Sequence, residues 1–211
     1  TRRQELLHWA QERPERIILE DDYDSEFRFV GRPIPTLFSI DGGEQVVYLN
    51  TFSKTIAPSI RISFMVLPRH LLADFQEKLG FYACTVSAFE QYTLASFLSG
   101  GYYEKHLSRM RKHYRQKRDA VIGAVRQSSL ADRATITEED AGLHFLLRLD
   151  GAPPDDVLRR EAEARGVRLA MLSDYYQQPE DAPQHVLVVN YTGIDIEKLP
   201  AALERLAELW R

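Results

Sequence analysis

The chain predicts an α/β fold, because helical and strand patterns alternate over residues 1–100. Short apolar runs at 17–19 and 46–49 are typical of buried strands, and the apolar residues of 71–79 recur at helical spacing. Such alternation favours helices packed on a mostly parallel sheet. Ligands of these sheets bind beyond the carboxyl ends of the strands, so the residues that follow each apolar run are candidates for a site.

The remaining elements are expected in order along the chain. Residues 1–100 predict a helix at 2–12, strands at 16–20, 45–50 and 61–67, a turn at 41–43, a short helix after Lys54 and a helix at 71–79. Beyond Gly100 and Gly101 we expect a long helix at 102–127, strands at 134–137, 143–149, 167–171 and 185–191, and helices at 154–165 and 196–210. The chain is therefore predicted to divide into 1–101, a connecting helix at 102–127 and a smaller α+β unit at 128–211.

The composition is that of an ordinary globular protein. The 211 residues are 44% hydrophobic and 27% charged, and the net charge of −4 gives no overall reason to expect nucleic acid as a partner. The single cysteine excludes an internal disulfide framework, and no apolar stretch is long enough for a membrane span, so a cytoplasmic setting is expected. Thr1 opens the chain directly in a helical pattern, which suggests a fragment of a longer protein.

Lys54 is the residue that points most directly to chemistry. The apolar run at 46–49 leads into Thr51, Ser53 and Lys54, and Arg61 follows seven residues after the lysine. Hydroxyls and a guanidinium can hold a phosphate, and a lysine beside them can form an imine with a carbonyl. The neighbouring cation Arg61 and partial burial would both favour the neutral, nucleophilic amine.

An acidic segment, 20–26, follows the first apolar run. It could bind a divalent cation, but a calcium loop started at Asp22 would need glycine at its sixth position, where Phe27 stands. A strand leading into the acids instead favours one buried, functional carboxylate. A carboxylate such as Asp21 would keep a pyridine nitrogen protonated, and the phenol of Tyr23 could bond a ring oxygen. Carbonyl, phosphate and protonated ring nitrogen are the three handles of pyridoxal 5'-phosphate (PLP).

Other features have simpler interpretations. The basic run at 105–118 is predicted to be the solvated face of an amphipathic helix, not a nucleic-acid site. His106, His113 and His144 lack metal-ligand spacing, so no metal site is expected, and Cys84 is predicted to be a packing residue. A phosphate-binding module without PLP is a third, weaker alternative.

The sequence resembles the aminotransferase-like domain of MocR/GabR-type transcription regulators, which belong to the GntR superfamily. The matching segments lie at 18–28, 31–33, 51–58, 60–62, 101–111, 114–119 and 141–144. Two of them carry Glu-Asp-Asp-Tyr-Asp-Ser-Glu-Phe and Thr-Phe-Ser-Lys. In generic aminotransferases the tyrosine usually follows the aspartate by three residues, whereas Tyr23 follows Asp21 by two.

The resemblance implies a fold and a set of site residues. It implies that 1–101 is the C-terminal half of a PLP-binding large domain of aspartate aminotransferase type (fold-type I), and that 128–211 is the small C-terminal domain. PLP would form the internal aldimine with Lys54. The other cofactor-binding residues implied are Asp21 at the pyridine nitrogen, Tyr23 at the 3-oxygen, and Thr51, Ser53 and Arg61 at the phosphate.

The resemblance also implies a regulatory function. The family senses a small effector, is usually a homodimer with its sites at the interface, and binds DNA through an N-terminal winged helix-turn-helix, which these residues do not contain. Where such regulators often show an arginine, this chain has Asp174, and 187–191 carries no arginine of the kind that binds carboxylates in aminotransferases. We therefore expect a small amino-compound or PLP itself as the effector. The alternative is an aminotransferase that catalyses PLP-dependent transamination.

Overall fold

The computed structural model describes residues 2–31, 34–42 and 44–210. Its helices are α1 (Arg2–Gln11), α2 (Leu37–Asp41), α3 (Phe52–Thr55), α4 (Leu72–Leu79), α5 (Ala88–Ser99), α6 (Tyr102–Gln127), α7 (Asp155–Ala164) and α8 (Leu199–Ala207). Its strands are β1 (Ile18–Asp21), β2 (Val46–Thr51), β3 (Ser63–Val66), β4 (Ala134–Thr137), β5 (His144–Leu149) and β6 (Val186–Asn190). Short 3-10 turns connect several of them. Arg32 and Pro33 of the matching segments, Gly43 of the predicted turn, and Thr1 lie outside the described residues.

The chain divides into two compact units. The first comprises Thr1–Glu26 and Gly31–Met110, and the second comprises Phe27–Val30 and Arg111–Arg211. The division therefore falls inside α6, whereas the sequence placed it on either side of that helix. The assignment of the two units as parts of a large and a small domain stays a prediction.

The first unit is built on a mixed three-stranded sheet in the order β1-β2-β3. The parallel pair β1 and β2 places Asp21 opposite Leu49, and the antiparallel pair β2 and β3 places Thr51 opposite Ser63. The parallel pair carries the carboxyl ends of both strands to one edge of the sheet. Both strands end where polar residues begin, so this edge collects the candidate site residues.

The core of the first unit is small. Among the described residues, Leu7 and Ala10 of α1 pack with Ile18, Leu37 and Val46. The buried Gln45 amide joins the same region, because its Nε2 donates to the carbonyl oxygens of Ala10, Arg13 and Arg16 at 2.8–3.2 Å. These bonds hold the turn after α1 against the start of β2, and so fix where β2 enters the sheet.

The second unit has an antiparallel sheet in the order β4-β5-β6 and a larger core. Phe145 and Leu149 of β5 are completely buried, as are Leu158 of α7 and Met171. Alternate residues of β5 are buried, which is the pattern of a strand with one face against a core. The basic run contributes to this unit as well, since Arg118 is buried and its guanidinium stacks over Phe29.

Several predicted elements differ from the structure. The strand expected at 167–171 is wrong, because only an isolated bridge between Met171 and Leu187 forms there. The short helix expected after Lys54 begins earlier, at Phe52, so Lys54 lies within it. The helices α2 and α5 were not anticipated. In the part of the chain that the structure describes, no helix combines the length and apolarity that crossing a membrane requires.

Candidate cofactor site

The carboxyl ends of β1 and β2 bring the two halves of the candidate site together. Asp21 is the last residue of β1 and pairs with Leu49, so Thr51 lies two residues further along the neighbouring strand. Standard strand spacing and rise then place the Cα atoms of Asp21 and Thr51 about 8 Å apart. The acidic segment and the hydroxyl-lysine segment therefore flank one edge of the sheet, as the sequence predicted.

Two hydroxyls and a guanidinium converge just beyond β2. Thr51 Oγ1 and Ser53 Oγ lie 3.2 Å apart, and Arg61 Nη1 donates to Ser53 Oγ at 3.2 Å. Ser53 is buried and its hydroxyl also bonds the carbonyl of Ile60, which holds the segment before β3 against α3. The three predicted phosphate residues thus form one cluster. Hydroxyl and guanidinium donors of this kind suit a phosphate.

The local backbone explains why this cluster forms. The Thr51 side chain accepts a hydrogen bond from the backbone N–H of Ser53 at 3.2 Å, so Thr51 caps α3 directly after β2 ends. Phe52 N donates to the carbonyl of Ile62 at 2.9 Å, which draws the segment carrying Arg61 alongside. A strand that turns at once into a helix therefore sets the positions of all three side chains.

Lys54 is exposed, so the expected partial burial is wrong. It lies in the single turn of α3, next to the buried Ser53 and Thr55. No hydrogen bond or ion pair ties its Nζ to another described residue. In sequence, Lys54 directly follows Ser53 of the hydroxyl-guanidinium cluster.

Asp21 and Tyr23 are both exposed, and no described residue bonds the Asp21 carboxylate. The buried carboxylate expected in the acidic segment is therefore not Asp21. The other acids of the segment, Glu20, Asp22, Asp24 and Glu26, are more sheltered, and the side chains of Asp22 and Glu26 turn towards β2. The exposed Asp21 carboxylate remains available to a ring nitrogen.

Tyr48 and Asn50 of β2 form a polar network that sequence reasoning missed. Tyr48 Oη donates to Asp22 Oδ2 at 2.9 Å, and Asn50 Nδ2 donates to Tyr48 Oη at 2.8 Å. Burial raises the pKa of Tyr48 to about 12, with the Asp22 carboxylate acting in the same direction and the Asn50 bond opposing it. The signal was visible, since these two polar residues lie within an otherwise apolar strand.

The Asp174 side chain already has bonding partners within the second unit. Its carboxylate pairs with Arg159 and accepts a hydrogen bond from the backbone N–H of Met171 at 3.0 Å. The acid at this position thus fixes the 3-10 turn Leu172–Tyr175, and its charge is balanced by the arginine on α7. Tyr175 and Tyr176 beside it are exposed.

The other residues singled out in the sequence give less support for a functional site. Cys84 is exposed, so its prediction as a packing residue is wrong. Among the residues that the structure describes, no group of three or more histidine, cysteine, aspartate or glutamate side chains could hold a metal ion. The basic run is only partly a solvated face, because Arg115 and Lys117 donate to the carbonyls of Phe29 and Thr192.

Comparison with known proteins places the chain among regulators. It is 40% identical to the uncharacterized HTH-type transcriptional regulator YhdI of Bacillus subtilis, over 100% of this chain and 44% of that protein. It is 38% identical to the probable rhizopine catabolism regulatory protein MocR of Rhizobium meliloti, over 92% of this chain and 39% of MocR. In sequence, the chain belongs with the aminotransferase-like part of MocR-type regulators. It spans less than half the length of these relatives, and no family model matches it.

Solved structures confirm the fold of this aminotransferase-like part. Kynurenine aminotransferase from Pyrococcus horikoshii superposes with a TM-score of 0.83 at 29% identity, over 99% of this chain and 50% of that one. The α-aminoadipate aminotransferase LysN from Thermus thermophilus, crystallised with a phosphopyridoxyl-leucine compound, superposes with a TM-score of 0.77 at 26% identity. That match covers 98% of this chain and 53% of LysN. The predicted α/β fold of aspartate aminotransferase type is confirmed.

Proposed function

We propose that this chain is the PLP-binding, effector-sensing part of a MocR-type transcription regulator. The observation that carries the proposal is the position of Lys54, which directly follows Ser53 of the cluster formed by Thr51, Ser53 and Arg61, just past the end of β2, the strand that pairs with the Asp21 end of β1. An exposed amine, a phosphate subsite and an exposed carboxylate near one sheet edge fit the three handles of PLP.

Each side chain has a role that its environment supports. Arg61, Ser53 and Thr51 would bind the phosphate, because Ser53 Oγ lies 3.2 Å from both Thr51 Oγ1 and Arg61 Nη1. Asp21 would hold the proton on the ring nitrogen and Tyr23 would bond the ring's 3-oxygen. When bound, PLP supplies an aldehyde that condenses reversibly with primary amines, and Lys54 is the amine positioned to hold it. An amino-bearing effector would compete with Lys54 for that aldehyde.

Sensing is favoured over turnover by the relatives. YhdI and MocR are named as regulators, and PdxR of Corynebacterium glutamicum, 31% identical over 83% of this chain and 37% of that protein, is named as a pyridoxine biosynthesis regulator. We infer that the effector is a small amino-compound or PLP, and that the protein works in the cytoplasm as a homodimer. DNA would be bound by a helix-turn-helix domain elsewhere in the longer protein.

The pairing of Asp174 with Arg159 bears on the choice of effector. A carboxylate that is already neutralised and bonded to Met171 N is a weak partner for an incoming ammonium group. The amino group of the effector is therefore expected to react with the PLP aldehyde at Lys54 and not to pair with Asp174.

An aminotransferase is the second candidate, because the solved structures that match are aminotransferases. In that case Lys54 would also move a proton to and from the substrate, as an exposed amine without a hydrogen-bonding partner could do. Steady conversion of an amino acid with a keto-acid acceptor by the full-length protein would favour this candidate. Effector-dependent DNA binding without such conversion would favour the sensor.

Covalent trapping tests the cofactor assignment. The full-length protein is incubated with PLP, reduced with borohydride and mapped by peptide mass spectrometry; a pyridoxyl group is expected on Lys54. Lys54→Arg should abolish the label, and Lys78→Arg should keep it, because Lys78 is an exposed lysine of α4 that pairs with Asp74. A label on other lysines, unchanged in Lys54→Arg, would contradict the assignment.

A further inference from the structure

We propose that Asp22, Tyr48 and Asn50 are positioning residues that hold the acidic segment in register with the Lys54 segment. The inference rests on the proposed function, since it concerns how Asp21 and Tyr23 are presented to PLP. None of the three would touch the cofactor. Their task would be to fix the distance between the two strand ends from which the site is made.

A continuous chain of hydrogen bonds joins the two segments. Tyr48 Oη donates to Asp22 Oδ2 at 2.9 Å, and Asn50 Nδ2 donates to Tyr48 Oη at 2.8 Å. Asn50 Oδ1 in turn accepts from the backbone N–H of Thr51, the residue that caps α3. A carboxylate in the acidic segment is thereby connected to the first residue of the phosphate cluster through side chains of β2 alone.

The surroundings of this series of hydrogen bonds make the bonds hard to replace by bonds to water. Asn50 is 7% exposed, and Tyr48 and Asp22 are half-buried. Burial is also the largest cause of the raised pKa of Tyr48, a sign that its hydroxyl is sheltered from water. Loss of the hydroxyl would leave a sheltered carboxylate and a buried amide short of a partner.

The acidic segment divides its side chains by position. Glu20 accepts from the backbone N–H groups of Leu37 and Phe38 at 2.7 and 2.9 Å, and Asp22 accepts from Tyr48. The side chains of Asp21 and Tyr23, which alternate with these, are exposed. Successive residues of a strand point to opposite sides, so anchoring Glu20 and Asp22 directs the Asp21 side chain away from the anchors. Tyr23 follows Asp22 directly in the bend after the strand.

Asp22 is anchored by more than the Tyr48 bond. Its backbone N–H donates to the carbonyl of Leu49 at 2.9 Å, and Ser25 Oγ donates to its Oδ2 at 2.8 Å. The ladder of β1 and β2 thus continues one residue past Asp21, and the following turn is tied back onto the same carboxylate. Asp22 lies between Asp21 and Tyr23, so every restraint on it also restrains them.

The test compares Tyr48→Phe with Tyr175→Phe in the full-length protein. Tyr175 is an exposed tyrosine of the second unit and serves as the matched control. The measured quantities are the Kd for PLP and the pH midpoint of the absorbance of the bound cofactor, which reports the contacts of its ring. Tyr48→Phe is expected to raise the Kd roughly two- to tenfold, the effect of one hydrogen bond, and to move the midpoint. Tyr175→Phe should change neither.

Each outcome decides something. PLP bound by Tyr48→Phe with unchanged Kd and midpoint would overturn this inference and leave the proposed function standing. Failure of the wild-type protein to bind PLP at Lys54 would overturn both. If Tyr48→Phe does not fold, Ser25→Ala removes an exposed partner of Asp22 and should give a smaller shift of the same sign; no shift there would overturn the inference.

Discussion

The two units differ in how much of their apolar surface they bury. In the first, the buried apolar side chains are Leu7, Ala10, Ile18, Leu37, Val46, Val47, Pro68 and Leu107, whereas the second contributes all the others found among the described residues. The exposed large apolar side chains show the reverse distribution, since all but Val30, Tyr175 and Tyr176 lie in the first unit. The second unit therefore has the larger apolar core.

The first unit exposes many apolar side chains of the kind that usually pack against another protein surface. Every residue of β3 is exposed, and α4 and α5 bury none of theirs. Phe81, Tyr82, Phe89 and Tyr92 are each more than two-thirds exposed. Exposed apolar side chains in such number are typical of a surface that other residues cover. We expect the rest of the longer protein to cover them.

The largest expected effect comes from the core of the second unit. Phe145 is fully buried and stacks on Tyr191, so Phe145→Ala should lower the free energy of unfolding by about 3–5 kcal/mol. Phe89 is 79% exposed, and Phe89→Ala in the 211-residue chain should change it by less than about 0.5 kcal/mol. Urea denaturation checks both.

The same pair sharpens the comparison when it is repeated in the full-length protein. There, Phe89→Ala should become clearly destabilising if its surface is covered, while the effect of Phe145→Ala stays the same. An equally small effect of Phe89→Ala in both proteins would show that the apolar surface of the first unit is not covered by the rest of the protein.

A polar substitution tests how the small core of the first unit is secured. Gln45→Ala leaves the carbonyls of Ala10, Arg13 and Arg16 without the amide that bonds them, and should cost about 1–3 kcal/mol. Gln76→Ala, at an exposed position of α4, is the control and should be nearly neutral. Thermal unfolding followed by circular dichroism measures the difference. Equal melting temperatures would mean that water replaces these bonds.

Helices of the two units depend on different interactions. The capping box of Ser87 and Glu90 begins α5, which buries no residue, so Ser87→Ala should cost about 1 kcal/mol. By contrast, α7 has Pro154 in its N-cap position, without a side-chain cap, and is held by burial of Leu158 and Ala162. Pro154→Ala should have the smaller effect on the free energy of unfolding. The opposite ranking would mean that α5 is held by packing.

The last effect is a pH dependence in the first unit. The pKa of Tyr48 is raised from 10.0 to about 12, so the folded state keeps a proton that the unfolded chain loses. This contribution to stability is complete below pH 10 and is lost as the pH rises to 12. The difference in unfolding free energy between wild type and Tyr48→Phe should therefore shrink over that range. An unchanged difference across that range would contradict the raised pKa.

The elements that the sequence predicted best are those whose stabilising pattern is local. The bounds of α6 and β4 coincide with the predicted 102–127 and 134–137, because a long amphipathic stripe and a short alternation are visible in the residues themselves. The helix α5 was missed, although Ser87 and Glu90 form a capping-box pattern that marks the start of a helix. The prediction of a strand at 167–171 was wrong. The alternating residues Val167, Leu169 and Met171 fit a strand, but a strand forms only where a neighbouring strand pairs with it along its length, and only an isolated bridge forms here.

The same distinction between local sequence pattern and tertiary contact applies to the candidate site. Thr51, Ser53, Lys54 and Arg61 could be singled out from the sequence, because a strand end followed by hydroxyls, a lysine and an arginine is a local pattern. Their convergence, the exposure of Lys54 and the free carboxylate of Asp21 were decided by the pairing of β1 with β2 and by the turn into α3. The bond from Tyr48 to Asp22 also belongs to the tertiary structure, since it joins residues 26 positions apart, whose distance only the folded sheet sets.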